Sequence, residues 1–462
     1  MERKGKKALT VDIGTSSIKA GIIDERGVLR SWQRSSFGES GGDIYNWNTE
    51  IWVKALKKVL CNLTYLDEID AVVFSGNGPT ITPVMHDGNY SSESLLWIDD
   101  KKIPLPGIKS FFLPKILWFK ENLKDKYKDA SCFLPLSGFF PYLLTGELTA
   151  PVPNIPFTPF LWDDESIIKS GIDREKLPRF VFTGDLIGKV SASGSKECYI
   201  REGIPVFAGA NDYLMALLGT GAVFEGAVCD RAGTSEGINY TSREKINCEN
   251  LRSLPHIIDG FENVSGVLAS SGVIFEWFRK VSGQQDKSYL SLMREISKVI
   301  HKEDNLYFFP SLKKEAVWQF SKGAFVGLEA RHGILETGSA VVKSIGFSVR
   351  DVIQHMESCS LKIDEIRLSG AQAKNPLWNQ MKSDMIGKRI IVPEIHDGEL
   401  LGCACSAFKG LGLYSSLLQA SQKMVHIKEE YNPDSDSYER FSSLFEKYSQ
   451  MSERIQPLAD TL

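Results

Sequence analysis

The chain has 462 residues, of which 42% are hydrophobic and 24% charged, and its formal net charge is −4 at pH 7. This length suits two domains of roughly 200 residues each, and the composition is that of a globular protein with large cores. The near balance of charge argues against a nucleic-acid-binding protein, which usually carries a strong basic excess.

The first predicted element is a β-hairpin in VDIGTSSIKAGIID. One apolar run ends at Asp12, a Gly-Thr-Ser turn occupies residues 14–16, and a second apolar run follows. Apolar residues at helical spacing then predict an amphipathic helix, capped by Asn48 or Thr49. The apolar run IDAVVF (69–74) predicts a buried strand that ends at the non-helical loop SGNGPT.

The middle of the chain contains a proline-rich segment, TAPVPNIPFTPFLWDD (149–164), for which we predict no regular structure. After it, IPVFAGANDYLMALLG (204–219) predicts a strand, a turn of small residues and the start of a helix. The expected order is therefore strand, irregular segment, strand and helix.

The second half repeats the plan of the first. GAVCDRAGTSEGINYT (226–241) predicts strand, Gly-Thr-Ser turn and strand, and a long amphipathic helix covers about 336–358. A later strand, glycine turn, helix and strand follow, with an Asn375 cap and a helix stop at Gly387, and then a small-residue helix, ELLGCACSAFKGLG. We expect the charged tail from about residue 430 to be peripheral. The repeat predicts two similar α/β domains that face each other, with both turns in one cleft.

The two Gly-Thr-Ser turns suggest a phosphate site. Glycine turns expose backbone N–H groups to an anion, Thr and Ser hydroxyls add donors, and a carboxylate such as Asp12 can hold Mg²⁺. A single turn of this composition is more often only a tight turn, but two copies in matching contexts favour the phosphate interpretation. The sequence contains neither a GxxxxGK[ST] motif nor a GxGxxG motif after a strand, which argues against a P-loop protein and a dinucleotide fold.

The cysteines and the termini indicate a cytoplasmic protein. Eight cysteines without a CxxC pair predict reduced thiols, and Cys403 and Cys405 fit a tightly packed helix better than a metal site. The basic N-terminus lacks the apolar stretch of a secretory signal. The most apolar window, FFLPKILWF (111–119), is too short to span a bilayer.

An ordered set of motifs resembles the FGGY family of carbohydrate kinases, on the actin/Hsp70-like fold, from residue 8 to about 415. The matching segments are VDIGTSSIKAGIID, WIDDKK (97–102), PVFAGANDYLMALLG, AGTSEGI, SSGVIFEWF (270–278), FFPSL (308–312), KGAFVGLEARHG (322–333), IRLSGAQAKNPLWNQMKSDMIGKRIIVPE and ELLGCACSAF, the last two being similar to the family's signature near the adenosine. One segment alone would be weak evidence, whereas the ordered set is specific. The xylulokinase-like branch is the most similar.

The resemblance implies an α/β fold of two similar actin/Hsp70-like (ribonuclease H-like) domains around a nucleotide and sugar cleft. It implies an N-terminal domain with the sugar site over 1–225, a nucleotide-binding domain over 226–430, and a peripheral tail over 431–462. The implied reaction is phosphoryl transfer from ATP to a hydroxyl of a pentulose such as D-xylulose, or of a related sugar or polyol, with Mg²⁺. By analogy, the protein is a candidate homodimer that binds neither nucleic acid nor a membrane.

The resemblance also implies roles for individual residues. The general base would be Asp212, and the magnesium ligand would be Asp12. The implied nucleotide-binding residues are Thr15, Ser16, Gly233, Thr234, Ser235, Gly323, Gly370, Ala371 and Asn375. The implied sugar-binding residues are Gly78, Pro79, Thr80, Trp97 and Asp99.

Four of these implied site residues also have a purely structural interpretation. Asp212 can cap the helix that begins near Tyr213, and the cap and the catalytic role can hold together. Asp99 lies in an Asp-Asp-Lys-Lys charge run, Trp97 is as well suited to a core as to stacking on a sugar, and Gly370 can be a plain strand-to-helix turn.

Departures from the family pattern lie on the sugar side. The loop SGNGPT (75–80) stands where the xylulokinase-like branch has SGQMHG, and Lys101 replaces an arginine. The segment after Thr145-Gly146-Glu147 lacks the family's Asp and Ser, and SLKKEAVW (311–318) replaces SGERTP. Two further hypotheses therefore stay open: a non-catalytic nucleotide- or sugar-sensing protein on the same fold, and an ATPase machine such as a chaperone or filament subunit.

Overall fold

The computed structural model describes residues 5–38, 49–90, 93–233, 236–268, 271–302, 304–311 and 322–460. The strands are β1 (Lys7–Ile13), β2 (Ser17–Asp24), β3 (Leu29–Ser36), β4 (Ala71–Gly76), β5 (Ile81–Met85), β6 (Ala130–Pro135), β7 (Thr149–Val152), β8 (Arg179–Phe182), β9 (Leu186–Lys189), β10 (Pro205–Phe207), β11 (Val228–Ala232), β12 (Glu236–Ser242), β13 (Arg252–Pro255), β14 (Glu262–Leu268), β15 (Tyr307–Phe309), β16 (Ala324–Val326), β17 (Glu365–Ser369), β18 (Arg389–Pro393) and β19 (Ile427–Tyr431). The helices are α1 (Thr49–Leu60), α2 (Leu113–Asn122), α3 (Lys124–Asp129), α4 (Leu136–Thr145), α5 (Thr158–Leu161), α6 (Asp164–Ser170), α7 (Ala192–Cys198), α8 (Asp212–Thr220), α9 (Gly272–Val281), α10 (Tyr289–Ser297), α11 (Ile334–Ser358), α12 (Pro376–Ile386), α13 (Gly398–Gly410), α14 (Leu417–Met424) and α15 (Ser435–Ile455).

The chain divides into two compact units, and neither is continuous in sequence. Unit 1 comprises Met1–Val223, Pro255–Phe261 and Asp397–His426. Unit 2 comprises Phe224–Leu254, Glu262–His396 and Ile427–Leu462. This division differs from the one expected at residues 225/226, because α13 and α14 group with the first half of the chain.

Unit 1 is built on a sheet with the strand order β3-β2-β1-β4-β10-β9. β1 pairs antiparallel with β2 and parallel with β4, so that Asp12 lies opposite Lys19 on one side and Ser75 on the other. Apolar residues of these strands and of α1 form one buried cluster, because alternate side chains of each strand face the same side. The predicted first hairpin and the predicted helix from Thr49 are confirmed, while Asn48 lies outside the described residues.

Two helices of unit 1, α8 and α13, pack with their backbones in contact. A Cβ atom added at Gly219 would lie 1.8 Å from the carbonyl oxygen of Gly398, and one added at Gly402 would lie 2.0 Å from that of Met215. Cys403 and Cys405 are fully buried in α13, as the small-residue pattern predicts. This close approach is possible because glycine has no side chain, and the two contacts show that α13 runs antiparallel to α8, with its first turn beside the C-terminal end of α8.

Unit 2 repeats this topology in a sheet with the order β13-β14-β12-β11-β17-β18-β19. β11 pairs antiparallel with β12 and parallel with β17, as β1 does with β2 and β4. The predicted helix boundaries are confirmed: the Asn375 side chain caps α12, Pro376 is its first residue, and Gly387 ends it with a φ of 72°. The predicted long helix is also confirmed, as α11.

The expectation for the C-terminal tail is wrong. Helix α15 places Phe441, Leu444 and Phe445 in the core cluster of unit 2, against residues of α11 and α12. Its sequence is highly charged because the opposite side of the helix faces solvent, and this charge obscured the apolar face.

The expectation for the proline-rich segment is also wrong. It contains the strand β7, which includes Pro151, and the short helix α5, whose proline lies in the first turn. Proline is tolerated at both places because β7 pairs with only one described strand, β8, and because the first turn of a helix needs no internal N–H donor. None of the helices within the described ranges has the length and apolar character needed to cross a membrane.

The expectation of reduced thiols is wrong for one pair of cysteines. The structure joins Cys248, in the loop after β12, to Cys359, at the end of α11, by a disulfide. The two residues are 111 positions apart in sequence, so their spacing gave no sign of the pairing. His355 lies one helical turn before Cys359, and its Nε2 is 2.6 Å from the carbonyl oxygen of Glu249.

A buried histidine of unit 1 should make stability depend on pH. Burial lowers the pKa of His256 to about 3, from an ordinary value of 6.5, and its Nδ1 accepts a hydrogen bond from the N–H of Ile258 at 3.0 Å. Below pH 6.5 the unfolded chain therefore binds a proton that the folded chain does not bind until about pH 3. Stability is retained above pH 6.5 and is lost on acidification at up to about 1.4 kcal/mol per pH unit.

We expect His256→Asn to reduce the loss of unfolding free energy between pH 7 and pH 5 by about 2 kcal/mol. Urea unfolding at both pH values measures this difference. His86→Asn, at an exposed histidine of the same unit, is the control and should leave the loss unchanged. An unchanged loss in the His256 variant would contradict the assignment.

Candidate active site

Four elements of unit 1 converge on a buried group of acidic residues. Asp12 lies near the end of β1, Ser75 lies on β4, Asp212 is the first residue of α8, and Glu399 is in the first turn of α13. Asp12 is 4% exposed and Asp212 is 8% exposed. The Ser75 hydroxyl donates to Asp12 Oδ1 at 2.6 Å, which fixes the orientation of that carboxyl group.

Burial and neighbouring charges shift the pKa values of the ionisable side chains in this group. Burial, with the negative charges of Glu399 and Asp212, raises the pKa of Asp12 to about 7, against the opposing effects of Lys19 and Ser75. Lys19 Nζ lies 2.8 Å from Asp397 Oδ1. Burial alone would lower the pKa of Lys19, but the nearby carboxylates outweigh it and raise that pKa.

This set of side chains fits a divalent cation. Asp12 interacts electrostatically with Glu399 and Asp212, and Lys19 interacts with Asp12, Asp397 and Glu399. Burial, with the negative charges of Glu399 and Asp212, raises the pKa of Asp12, and a bound cation would oppose that effect. Carboxylate oxygens are the ligands that Mg²⁺ prefers, so the chemistry of the donor set agrees with the predicted magnesium site.

The 75–80 loop lies beside the N-terminal end of α8. A β-bridge links Gly76 to Asn211, the residue before Asp212, and a Cβ atom at Gly78 would lie 3.2 Å from Asn211 Oδ1. The Gly78–Pro79 peptide bond is cis, and the Thr80 hydroxyl donates to Asn77 Oδ1 at 2.6 Å. The predicted sugar-binding residues 78–80 are therefore close to the predicted base.

Trp97 connects this loop to the first Gly-Thr-Ser turn. Its indole N–H donates to Thr15 Oγ1 at 3.0 Å, and its backbone N–H donates to Thr80 Oγ1 at 3.1 Å. The turn itself is closed by a hydrogen bond from Gly14 N to Ser17 O at 3.0 Å, and Ser16 O accepts from Phe37 N. Trp97 is half-buried, and it joins two predicted binding segments rather than filling the core.

Asp99 and Asp212 each use a carboxylate oxygen within the chain. Asp99 Oδ2 accepts from the N–H of Leu96 at 2.7 Å, so the carboxylate closes a turn and does not belong only to a solvated charge run. Asp212 Oδ1 accepts from the N–H of Tyr213 at 2.7 Å. The predicted cap of α8 is displaced by one residue, since Asn211 occupies the N-cap position and Asp212 begins the helix.

Unit 2 brings a second set of predicted residues together. Gly233 O accepts from Gly272 N at 3.2 Å, while Thr234 and Ser235 lie outside the described residues. Gly370 has a φ of 97°, and a Cβ atom there would lie 2.4 Å from the carbonyl oxygen of Ala232. The close approach of the β17 turn to the end of β11 thus requires glycine at position 370.

The remaining predicted residues of unit 2 have local structural tasks. Ala371 begins the 3₁₀ turn that follows Gly370, and Asn375 Oδ1 accepts from Trp378 N at 3.3 Å as the cap of α12. Gly323 lies apart from them, before β16 in the small β15–β16 sheet. A Cβ atom at Gly323 would lie 2.9 Å from Phe309 O, which explains the glycine there.

Sequence reasoning missed Lys19, Ser75, Asp397 and Glu399. Lys19 could have been found, because a hairpin with a turn at 14–16 places it directly opposite Asp12. Glu399 lies in a segment that the family resemblance placed near the adenosine, whereas the structure places α13 in unit 1, beside Asp12. Only the tertiary fold reveals that relation.

Comparisons with known proteins identify the family of the chain. Two family models match: the N-terminal domain of the FGGY family of carbohydrate kinases over residues 101–219, and its C-terminal domain over residues 231–411, which together cover more than half of the chain. A xylulose kinase of Lactococcus lactis subsp. lactis is 26% identical, over 96% of each chain. An autoinducer-2 kinase of Salmonella paratyphi B is 22% identical, over 99% of this chain and 96% of its own.

A solved structure shows the same fold. The ligand-bound xylulose kinase from Lactobacillus acidophilus superposes with a TM-score of 0.80 at 18% identity, covering 97% of this chain and 98% of its own. The fold class is thus the expected one: α/β, with two similar domains of the actin/Hsp70-like (ribonuclease H-like) type.

Proposed function

The chain belongs to the FGGY family of carbohydrate kinases, and we propose that it transfers the terminal phosphoryl group of ATP to a hydroxyl of a pentulose or a related small sugar or polyol. The observation that carries the proposal is the convergence of Asp212, Asp12 and the 75–80 loop at one edge of the unit 1 sheet. Phosphoryl transfer depends mainly on positioning and charge stabilisation, and this edge offers side chains for both.

Asp212 is the proposed general base. Its carboxylate would accept the proton of the acceptor hydroxyl as that oxygen attacks, which requires a position within hydrogen-bond reach of the hydroxyl. The hydrogen bond from Tyr213 N holds one carboxylate oxygen in place. The β-bridge from Gly76 to Asn211 keeps the 75–80 loop, the proposed acceptor-binding segment with Trp97 and Asp99, beside this carboxylate.

Asp12 is the proposed magnesium ligand. Bound Mg-ATP would supply the phosphoryl group, with its cation neutralising charge on the phosphate oxygens. Within the chain, Ser75 orients the Asp12 carboxyl, and Lys19 partly balances the acidic group. Thr15 and Ser16 would donate to the phosphates from the first turn. Gly233, Thr234, Ser235, Gly323, Gly370, Ala371 and Asn375 would bind the nucleotide.

We expect Asp12→Asn to raise the Mg²⁺ concentration needed for half-maximal activity by about 10- to 100-fold, because the amide keeps the shape but removes a charged ligand. A magnesium titration of the kinase rate measures this. Asp24→Asn is the control, since Asp24 is an equally buried carboxylate in the same sheet that pairs with Arg30. An unchanged magnesium dependence in the Asp12 variant would exclude Asp12 as the ligand.

The acceptor is proposed from the relatives and from the site. D-xylulose is the first candidate, since relatives that match over nearly their whole length are named xylulose kinases. Others are named autoinducer-2 kinase, so that acceptor belongs in the test. Because the 75–80 loop departs from the xylulokinase-like pattern, several acceptors have to be tested.

A coupled assay of ADP release tests the proposal. Purified protein with Mg-ATP would be given D-xylulose, D-ribulose, L-ribulose, L-rhamnulose, L-fuculose, gluconate, glycerol, erythritol and autoinducer-2. We expect a rate well above the sugar-free background with one of them. No rate with any acceptor, together with measurable Mg-ADP binding, would favour the second candidate, a non-catalytic nucleotide or sugar sensor.

One observation favours the sensor. The indole N–H of Trp97 and one carboxylate oxygen of Asp99, groups that a sugar would use, are engaged with Thr15 and Leu96. The retention of Asp212 and Asp12 together favours the kinase. We also propose a cytoplasmic location, which fractionation of cells that make the protein would test. We further propose a homodimer, which light scattering of the purified protein would test.

A further inference from the structure

A fully buried ion cluster lies beneath the start of the second Gly-Thr-Ser turn in unit 2. Lys382 Nζ, on α12, contacts both Asp230 Oδ2 on β11 and Glu236 Oε1 on β12. All three side chains are completely excluded from solvent. The two carboxylates flank the turn in sequence, so one lysine holds the strand that enters the turn and the strand that leaves it.

The cluster has a defined charge distribution. Burial raises the pKa of Asp230 well above its ordinary value, while the pKa of Glu236 is lowered, because Lys382 and three hydrogen bonds outweigh its burial. Lys382 thus offsets the charge of Glu236 within the buried cluster. A buried ion pair of this kind is weak evidence for stability, and in some proteins its role is to specify one arrangement of the chain.

Hydrogen bonds connect this ion pair to the backbone of the turn. Ser271 Oγ donates to Glu236 Oε2, and Gln372 Nε2 donates to Ser271 Oγ at 2.9 Å. The same Gln372 nitrogen lies 3.3 Å from Gly233 O. The indole N–H of Trp378 donates to Gln372 Oε1 at 2.9 Å and holds the amide in this orientation.

These hydrogen bonds, which run from Glu236 through Ser271 and Gln372, engage the carbonyl oxygen of Gly233. An anion-binding turn must present N–H groups, and an unengaged carbonyl oxygen directed at a phosphate would repel it. Gly233 O is instead held by Gln372 and by Gly272 N. A Cβ atom at Gly272 would lie 2.3 Å from this oxygen, so the contact leaves no space for a side chain.

We propose that Lys382 is a positioning residue which, through Glu236 and the side chains bonded to it, fixes Gly233 for contact with the nucleotide phosphates. The proposal rests on the kinase function proposed above. Lys382 itself is buried and does not touch the nucleotide. Its action is to keep the hairpin in the one arrangement that turns the Gly233 oxygen away from the ligand.

The first test removes the side chain of Gln372, which bonds to the carbonyl oxygen of Gly233. Gln372→Ala should weaken Mg-ADP binding by at least fivefold in isothermal titration calorimetry, while the KM for the sugar and the thermal midpoint stay the same. Gln380→Ala is the matched control, since Gln380 is a half-buried glutamine of the adjacent helix α12 that bonds to Asp384 and Asn432. This control should leave Mg-ADP affinity unchanged.

The second test asks whether Lys382 acts through Gln372. Lys382→Met and Glu236→Gln should each weaken Mg-ADP binding, and neither should weaken it further when Gln372 is already alanine, because residues on one path are not additive. If Lys382→Met fails to fold, Glu236→Gln, which keeps the size of the side chain, is compared with Gln372→Ala and with the double variant. Lys382→Arg should restore part of the affinity, since it keeps the charge.

The outcomes separate this proposal from the proposed function. A wild-type protein that binds no Mg-ADP would overturn the kinase function and this inference with it. A wild type that binds Mg-ADP, with equal binding by the Gln372→Ala and Glu236→Gln variants, would overturn the positioning role alone. Additive effects in the double variants would also overturn it, since they would show that Lys382 and Gln372 act separately.

Discussion

Asp212→Asn is expected to lower kcat by about 10²- to 10⁴-fold, the range that a positioned general base contributes. The amide keeps the size of the side chain and an oxygen that can accept from Tyr213 N, but it cannot take the proton of the acceptor hydroxyl. The coupled ADP-release assay, run with the best acceptor of the panel, measures kcat. Mg-ADP affinity should stay the same, since the base is proposed to act on the acceptor.

Asp164→Asn is the control for this variant. Asp164 is also the first residue of a helix of unit 1, α6, but its carboxylate is exposed and pairs with Arg174. Both variants thus alter the same helix position, and only one alters the proposed site. A rate within threefold of wild type for Asp212→Asn would show that another group takes the proton.

Gly402→Ala is expected to destabilise unit 1 by about 3 kcal/mol or more, against a helix-propensity gain of about 1 kcal/mol from alanine. The new methyl group would lie 2.0 Å from Met215 O, and backbone of α8 must move to admit it. Movement of α8 carries Asp212 away from Asp12, so activity should fall with stability. Thermal unfolding and the kinase rate, measured on the same preparation, test both effects.

Gly338→Ala provides the comparison. Gly338 is a helical glycine of α11, where a Cβ atom would lie 2.9 Å from side-chain atoms of Ile296 and Phe278 rather than from backbone. Side chains can shift more easily than a helix backbone, so we expect the smaller cost, about 1 kcal/mol. Equal stability of Gly402→Ala and wild type would mean that α8 and α13 are not in backbone contact.

The elements that sequence predicted well are set by local chemistry. The first Gly-Thr-Ser turn lies between two apolar strands, and the cap at Asn375 and the stop at Gly387 each depend on the backbone of one residue. The family resemblance then named Asp12 and Asp212, which the structure brings into electrostatic contact. Their roles stay predictions until the variants are measured.

The parts that sequence could not predict depend on contacts between distant segments. Glu399 affects Asp12 only because the tertiary fold places α13 against β1 and β4, and nothing near residue 399 reveals this. The pairing of Cys248 with Cys359 is equally nonlocal. The apolar face of α15 was locally readable, but its high charge suggested a peripheral tail.

The discontinuity of unit 1 has a consequence for how the protein is made. The sheet of unit 1 is encoded before residue 208, but Asp397–His426, which completes the unit, follows most of unit 2 in the chain. Proteins are synthesised from the N-terminus at about 5 to 20 residues per second, so an incomplete unit 1 persists for about 10 seconds or longer on the ribosome. During that interval the surface later covered by α13 is open, and it is a natural place for a chaperone to bind the nascent chain.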